Sequence, residues 1–265
     1  MDNKKRFDTI CRDIKSVKIQ GARNVAKAAL YAYELVPTRH SIRTLLSLRP
    51  TEPMLQNVLA MIGKKPMSEI LGHFDSAQDK INLFVLKLIR QNSIIFTHCH
   101  STNVINALIY AKEHGKKFEV INTETRPLYQ GRKTAKQLSR AGIKTTLITD
   151  LEAREAIAKS DIVVLGADAI LKNGDVINKM GSSMFSEIAH DHKVPVCIIA
   201  DSWKFSKRAV KIEERDYKEV WKNAPRKIKI KNLAFERIPS KYIKFIVSDL
   251  GILKPKEFVK KAIKS

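Results

Sequence analysis

From Ser93 onward, short apolar runs alternate with helix-like stretches, and that alternation leaves few folds open to the chain. The runs cover residues 94–97, 118–121, 145–148, 162–165, 194–200 and 243–247. Helical patterns separate most of them, for example over 131–141 and 151–158. Strands that are apolar throughout and bounded by helices on both sides predict a parallel sheet covered on both faces. In such open sheets, ligands bind outside the carboxyl ends of the strands.

Residues 1 to about 90 read differently. Ile10, Ile14 and Val17 recur at helical spacing, and Gly21 precedes an Ala-rich helix over 23–35 that Pro37 ends. A short helix over 41–48 follows, then a break at Arg49-Pro50-Thr51, where Pro50 restricts Arg49 to extended geometry. Thr51 is placed to cap the next helix, with Met54, Leu55, Val58 and Leu59 on its inner face. Gly63 closes that helix, and a longer one over 67–89 leads into the alternating region. The predicted class is α/β, a helical N-terminal domain (1–90) followed by a Rossmann-like parallel-sheet domain (91–265).

Several function classes drop out on composition. No stretch approaches the roughly 20 apolar residues of a membrane helix, and the start, MDNKKRFDTI, has no signal-like apolar region. The three cysteines (Cys11, Cys99, Cys197) are far apart and include no CxxC, so neither a disulfide framework nor a zinc site is indicated. The chain reads as cytoplasmic and reduced. Its net charge of +22 admits a nucleic-acid partner or a lysine-rich composition with a site for anionic metabolites. The first 90 residues hold 16 basic and 8 acidic side chains and the rest hold 33 and 19, so the charge is spread along the chain. The densest stretch, 204–231, also contains Glu213, Glu214, Asp216 and Glu219, which fits a solvated helix. We favour the metabolite reading.

Chemistry-bearing residues collect at predicted strand ends. Cys99 follows the first strand and precedes a helix, whose N-terminal partial charge favours a thiolate. Asp168 follows the fourth strand. Arg126 lies in the loop after the second, and Lys204 follows the fifth. Asn173-Gly174-Asp175 signals a turn, and Asn178-Lys179 is read as introducing a helix through Gly181. No GxGxxG follows the first strand, which argues against a dinucleotide cofactor. His98-Cys99-His100 are consecutive, and an extended segment sends Cys99 away from both histidines, which argues against metal. A thiol, a carboxylate and two cations at neighbouring strand ends suit proton transfer on a small phosphorylated substrate.

The segments THCHS (97–101), ETRPLYQGR (124–132), GADAILKNGDVINKMGS (166–182) and VPVCIIADSWKF (194–205) resemble one superfamily. It contains the regulatory subunits of initiation factor 2B, the methylthioribose-1-phosphate isomerases and the archaeal ribose-1,5-bisphosphate isomerases. IQGARNVAKAA (19–29) and LRPTEPMLQN (48–57) match in order as well, so the likeness spans nearly the whole chain. Both isomerase groups use a cysteine and an aspartate that map onto Cys99 and Asp168, whereas the factor subunits typically lack the cysteine. THCHS and ADSWKF are closer to the ribose-1,5-bisphosphate group.

The resemblance implies conversion of α-D-ribose 1,5-bisphosphate to ribulose 1,5-bisphosphate in nucleotide salvage, with Cys99 as proton acceptor and Asp168 as donor. No cofactor is implied, since an internal proton shift needs no electron carrier. Substrate contacts would come from Gln20, Gly21, Ala22, Arg23, Arg49, Ser101, Thr102, Asn103, Arg126, Asn178, Lys179 and Lys204. Gln20 stands where the isomerases usually carry Arg, and the N-terminal region is shorter than usual. The likeness further implies a homodimer, with Leu250, Ile252 and Leu253 suited to its two-fold contact, and hexamers of such dimers. The alternatives are a noncatalytic initiation-factor-like subunit, binding a nucleotide or sugar phosphate and contacting a translation factor, and a methylthioribose-1-phosphate isomerase.

Overall fold

The computed structural model describes residues 2–49 and 52–264. Its helical start consists of α1 (Asn3–Lys15), α2 (Ala22–Leu35), α3 (Arg39–Leu48), α4 (Pro53–Met61) and α5 (Met67–Leu88). Local chemistry sets the boundaries. The Asp2 carboxylate accepts from the Lys4 N–H at 3.2 Å, and the Thr38 hydroxyl accepts from the Ser41 N–H at 3.1 Å, each capping a helix start. Pro53 occupies the first turn of α4, where its missing N–H costs nothing. Gly21, at φ 85°, makes the turn into α2. Pro50 and Thr51, the expected break and cap, lie outside the described residues.

In α1 the buried stripe is Phe7, Cys11 and Ile14. Val17, expected to extend it, lies past the helix end at φ 61°. One apolar core joins Ile14 to Val25, Leu45, Leu55 and Leu59. The opposite face of α2, with Ala22, Ala26 and Leu30, packs with Met54, Val58 and the first turns of α5 through Ile70 and Phe74.

The alternating region runs β1 (Ser93–Thr97), α6 (Thr102–Glu113), β2 (Phe118–Thr123), α7 (Gln130–Arg140), β3 (Lys144–Ile148), α8 (Ala153–Ala158) and β4 (Ile162–Leu165). It continues with β5 (Ala169–Leu171), β6 (Val176–Lys179), α9 (Ser182–Asp191), β7 (Val196–Ile199), β8 (Phe205–Ser206), β9 (Phe235–Ile238), β10 (Phe245–Ser248), β11 (Gly251–Leu253) and α10 (Pro255–Lys264). The main sheet has the order β11-β10-β7-β4-β1-β2-β3 and is parallel except for β11. All six predicted strands fall in it, side by side in parallel.

Its two faces follow the period-two rule. Ile95, Val164, Cys197, Ile199 and Val247 point to one side, where Ile81 and Val85 of α5 and Val104 and Leu108 of α6 cover them. Phe96, Val163, Leu165, Ile198 and Ile246 point to the other, against Ile157 of α8, Phe185 of α9 and Phe258 of α10. Helix α5 therefore serves both halves of the molecule. Its first turns close the helical core and its last turns cover the sheet.

Three expectations need correction. Asn178 and Lys179 do not introduce a helix but end β6, which belongs to a second sheet of order β8-β5-β6-β9. The 204–231 stretch forms no α-helix. Val210 and Ile212, two residues apart, pack as extended chain on Ala169, Ile177, Ala234 and Phe235 of the small sheet. Leu250 and Leu253 pack on the α10 side of this chain's own core and Ile252 on the α5 side, so much of their apolar surface is used internally.

Phe96 is fully buried at the centre of the sheet. Phe96→Ala is expected to cost about 3–5 kcal/mol, lost burial plus the cavity left behind. The shift of the urea midpoint at constant slope measures it.

Candidate active site

The strand order reverses between β1 and β4, and the chain leaves both strands at the same edge. Thr97 pairs with Val164 in register, and its hydroxyl donates to the Val164 carbonyl at 2.7 Å. Two residues beyond Thr97 comes Cys99, and four beyond Val164 comes Asp168. Both line one cavity. Close approach of the two exits requires Gly166, because a Cβ there would stand 2.6 Å from the Ser101 side chain.

Cys99 is not in extended geometry, as expected, but at φ 66°. Its N–H donates to the Thr125 hydroxyl at 3.0 Å, and the Thr134 hydroxyl donates to its carbonyl at 2.7 Å. The neighbouring histidines are held by other groups. His98 bonds through Nδ1 to Thr123 Oγ1 (2.5 Å) and through Nε2 to the Met180 carbonyl (2.9 Å), and His100 bonds to Thr134 (3.1 Å). Burial pushes both imidazoles down to about 4, so both are neutral near pH 7.

The rest of the lining comes from four directions. Gln20, Gly21, Ala22 and Arg23 enter from the start of α2, and Arg49 from the end of α3. Ser101, Thr102 and Asn103 open α6, Asn178 and Lys179 end β6, and Lys204 follows β7. Arg126, alone of the predicted set, is turned away. Its guanidinium donates to the Tyr129 hydroxyl at 2.7 Å and to the Val220 carbonyl at 3.2 Å, outside the cavity. The first turn of α7 sends Gln130 and Lys133 to the lining instead.

Burial sets the protonation of the central groups. It raises the Asp168 carboxyl, against the opposing pull of Lys204, Arg49, Lys179 and Arg215. Desolvation also lowers Lys204, whose ammonium donates to the Ala167 carbonyl at 2.6 Å beside Asp168. The Cys99 thiol is pushed up by burial to about 11, with Lys179 the leading opposing charge. The thiolate expected from the helix start is therefore not the resting form; desolvation outweighs the dipole.

Five of the lining residues, Arg49, Glu52, Ser101, Gln130 and Arg215, carry buried side-chain polar atoms with no hydrogen-bond partner. Buried polar groups are nearly always paired in folded proteins, so their concentration in one cavity marks a surface built for a polar ligand. Outside it, His73, Asp201 and Asp249 bring ligand-type atoms within 4.8 Å of one another. Those atoms are engaged: Asp201 accepts from the Trp203 N–H and His73, and Asp249 accepts from the N–H and hydroxyl of Ser202.

The model of the Initiation factor 2 subunit family matches residues 65–255, which include every strand described above. The chain belongs to that family. Among family relatives, the ribose 1,5-bisphosphate isomerase of Archaeoglobus fulgidus is 34% identical, over 91% of this chain and 88% of that protein. The enzyme of the same name from Thermococcus kodakarensis is 33% identical, over 93% and 90%. The crystal structure of the Pyrococcus horikoshii translation initiation factor eIF-2B superposes with a TM-score of 0.83 at 28% identity, covering 94% of this chain and 97% of that one.

Sequence reasoning missed Glu52, Gln130, Lys133 and Arg215. Lys133 stands one turn into a helix that was recognised, three residues after Gln130, and that spacing was a usable signal. Arg215 gave none, because it lies in a charge-dense segment that reads as solvent-exposed.

A thiol raised to about 11 should resist alkylation at neutral pH. The iodoacetamide rate at Cys99, followed by peptide mass spectrometry, is expected to climb about tenfold per pH unit and level off near pH 11 rather than near the ordinary 9.0.

Proposed function

We propose that this chain is an isomerase that converts α-D-ribose 1,5-bisphosphate to ribulose 1,5-bisphosphate. The observation that carries the reading is Cys99 and Asp168 together in one cavity lined by Arg23, Arg49, Lys179 and Lys204. Two relatives at about one-third identity, spanning nine-tenths of the chain, bear the name of that enzyme.

The substrate carries phosphate on its anomeric oxygen, so no free hemiacetal hydroxyl exists from which the ring can open. Opening needs a proton on the ring oxygen and removal of the proton on C2. Asp168, whose neutral carboxyl form burial favours, supplies the first; Cys99 as thiolate takes the second. The C1–O ring bond breaks as the C1–C2 double bond forms, giving an enol phosphate. The thiol then returns its proton to C1, and the Asp168 carboxylate accepts the proton of the 2-hydroxyl as the C2 carbonyl forms. Atoms and charge balance with no other reagent.

The active ionic form, thiolate with neutral carboxyl, is a minor one when the thiol's pKa is the higher of the two. Lys179 and the start of α6 raise its population by favouring the thiolate. The chain is expected to act in the cytoplasm, where its free thiols Cys11, Cys99 and Cys197 stay reduced.

The direct test is incubation of folded protein with ribose 1,5-bisphosphate and assay of ribulose 1,5-bisphosphate. Absence of turnover sinks the reading. Cys99→Ser and Asp168→Asn should each lower kcat by at least about a thousandfold while substrate affinity stays within severalfold. Near-wild-type turnover in either variant removes that residue from its role.

Pairing of two chains belongs to the same proposal. Leu250, Ile252 and Leu253 are largely occupied within the chain, whereas Leu151, Met184 and Leu233 line one open groove at 92%, 46% and 45% exposure. An isologous contact there would cover them. Light scattering at micromolar concentration is expected to give a dimer, and Leu151→Asp a monomer; a wild-type monomer defeats the assembly proposal.

A further inference from the structure

The proton shift uses strand-end groups and leaves one buried guanidinium unassigned. Arg215 belongs to the long crossing between β8 and β9, and its side chain, 7% exposed, lines the cavity that holds Cys99 and Asp168. Its backbone is framed on both sides. The Arg215 N–H donates to the Asn232 carbonyl at 2.8 Å, the Ala234 N–H donates to the Glu213 carbonyl at 3.0 Å, and Glu214 forms a bridge with Leu233. The guanidinium carbon lies 5.6 Å from the centroid of the Phe235 ring. A side chain so enclosed cannot swing into solvent unless the crossing moves with it.

Even so, its Nε has no hydrogen-bond acceptor. The adjacent anion is Glu213, with one carboxylate oxygen 3.3 Å from Arg215 Nε and the other 3.6 Å from Arg49 Nη2. That second oxygen also has no hydrogen bond, and Arg49 keeps Nε and Nη1 open while Nη2 donates to Glu52 at 2.7 Å. Two guanidinium groups with open donors thus share one carboxylate at ion-pair distance on the same wall of the cavity. Two of the other lining cations are already committed: Lys204 donates to the Ala167 carbonyl, and Arg23 pairs with Asp75. A sugar bisphosphate brings more negative charge than Lys179 and the exposed Lys133 can meet. The planar guanidinium fork fits phosphate oxygens in pairs.

We propose that Arg215 is a phosphate ligand of the bound sugar bisphosphate, and that Glu213 holds the guanidinium groups of Arg215 and Arg49 in place until that phosphate displaces it. The assignment rests on the isomerase reading above.

The experiment is calorimetric titration of the full chain with ribulose 1,5-bisphosphate, with steady-state kinetics alongside. Arg215→Ala is expected to weaken binding about ten- to a hundredfold, the effect of losing a charge-assisted pair, and to raise KM more than it lowers kcat. Arg215→Lys keeps the charge without the fork and should fall between the two. Glu213→Gln removes the competing charge and should bind more tightly. If wild type binds the bisphosphate and Arg215→Ala binds it within about twofold as well, the assignment is overturned and the isomerase reading stands. If wild type binds no bisphosphate, the isomerase reading fails and takes this inference with it. Should Arg215→Ala not fold, Arg215→Lys decides, since wild-type affinity in that variant overturns the assignment.

Discussion

The register between β1 and β4 is the constraint on which the site depends. These strands lie side by side although the chain visits β2, β3 and α8 between them, so two distant segments leave the sheet at one point. Parallel pairing with Thr97 opposite Val164 puts the Cys99 and Asp168 exits at the same height. A slip of one residue would turn every side chain of β1 to the opposite face, and the buried alternation of Ile95 and Phe96 forbids it. The same hydrophobic packing that stabilises the sheet therefore sets where the segments carrying Cys99 and Asp168 leave it.

The electrostatics follow from placing charge where water is scarce. Arg49, Glu52, Lys179 and Lys204 are each at most 7% exposed, and folding them into the cavity is costly unless partners compensate. Compensation is partial: Arg49 has Glu52, and Lys204 has a carbonyl and the nearby Asp168, yet several donors and acceptors stay unmet. The core of the sheet and the helical packing around Leu45 and Leu55 must offset that cost. The opposing shifts have one origin. Desolvation raises the acids Cys99 and Asp168 and lowers the bases Lys179 and Lys204, in each case favouring the uncharged form.

Most of the main sheet was legible because its strands are apolar on both faces and flanked by amphipathic helices. Ile162–Leu165 and Val196–Ile199 are unmistakable for that reason. The small sheet was not. Its strands span only two to four residues, and a period of two cannot be recognised in Phe205–Ser206 or Ala169–Leu171. Asn178 and Lys179 were recognised as site residues but placed at a helix start, since the turn at Gly181 hides the end of β6. Arg126 was misplaced because position in a loop does not give side-chain direction; Tyr129, in the same motif, and Val220, far downstream, hold it. The protonation of Cys99 depends on how deeply the fold buries it, which spacing along a chain does not record.

Lys204 shows how far the site reaches into the rest of the molecule. The short turn that carries it is held by Asn57 of α4, whose amide donates to the carbonyls of Trp203 at 2.7 Å and Phe205 at 2.9 Å. Trp203 stacks on His73 of α5 with ring centroids 3.5 Å apart, and Asp201 bonds both His73 and the Trp203 backbone. Two helices from the N-terminal half thus grip the exit of β7, and Arg49 reaches the same cavity from the end of α3. Loosening the helices would release a cation from Asp168 at the moment it admitted water. Closure of the helical half on the sheet and the raised pKa of Asp168 are consequences of the same burial, so the helices shape the cavity as much as the strand ends do.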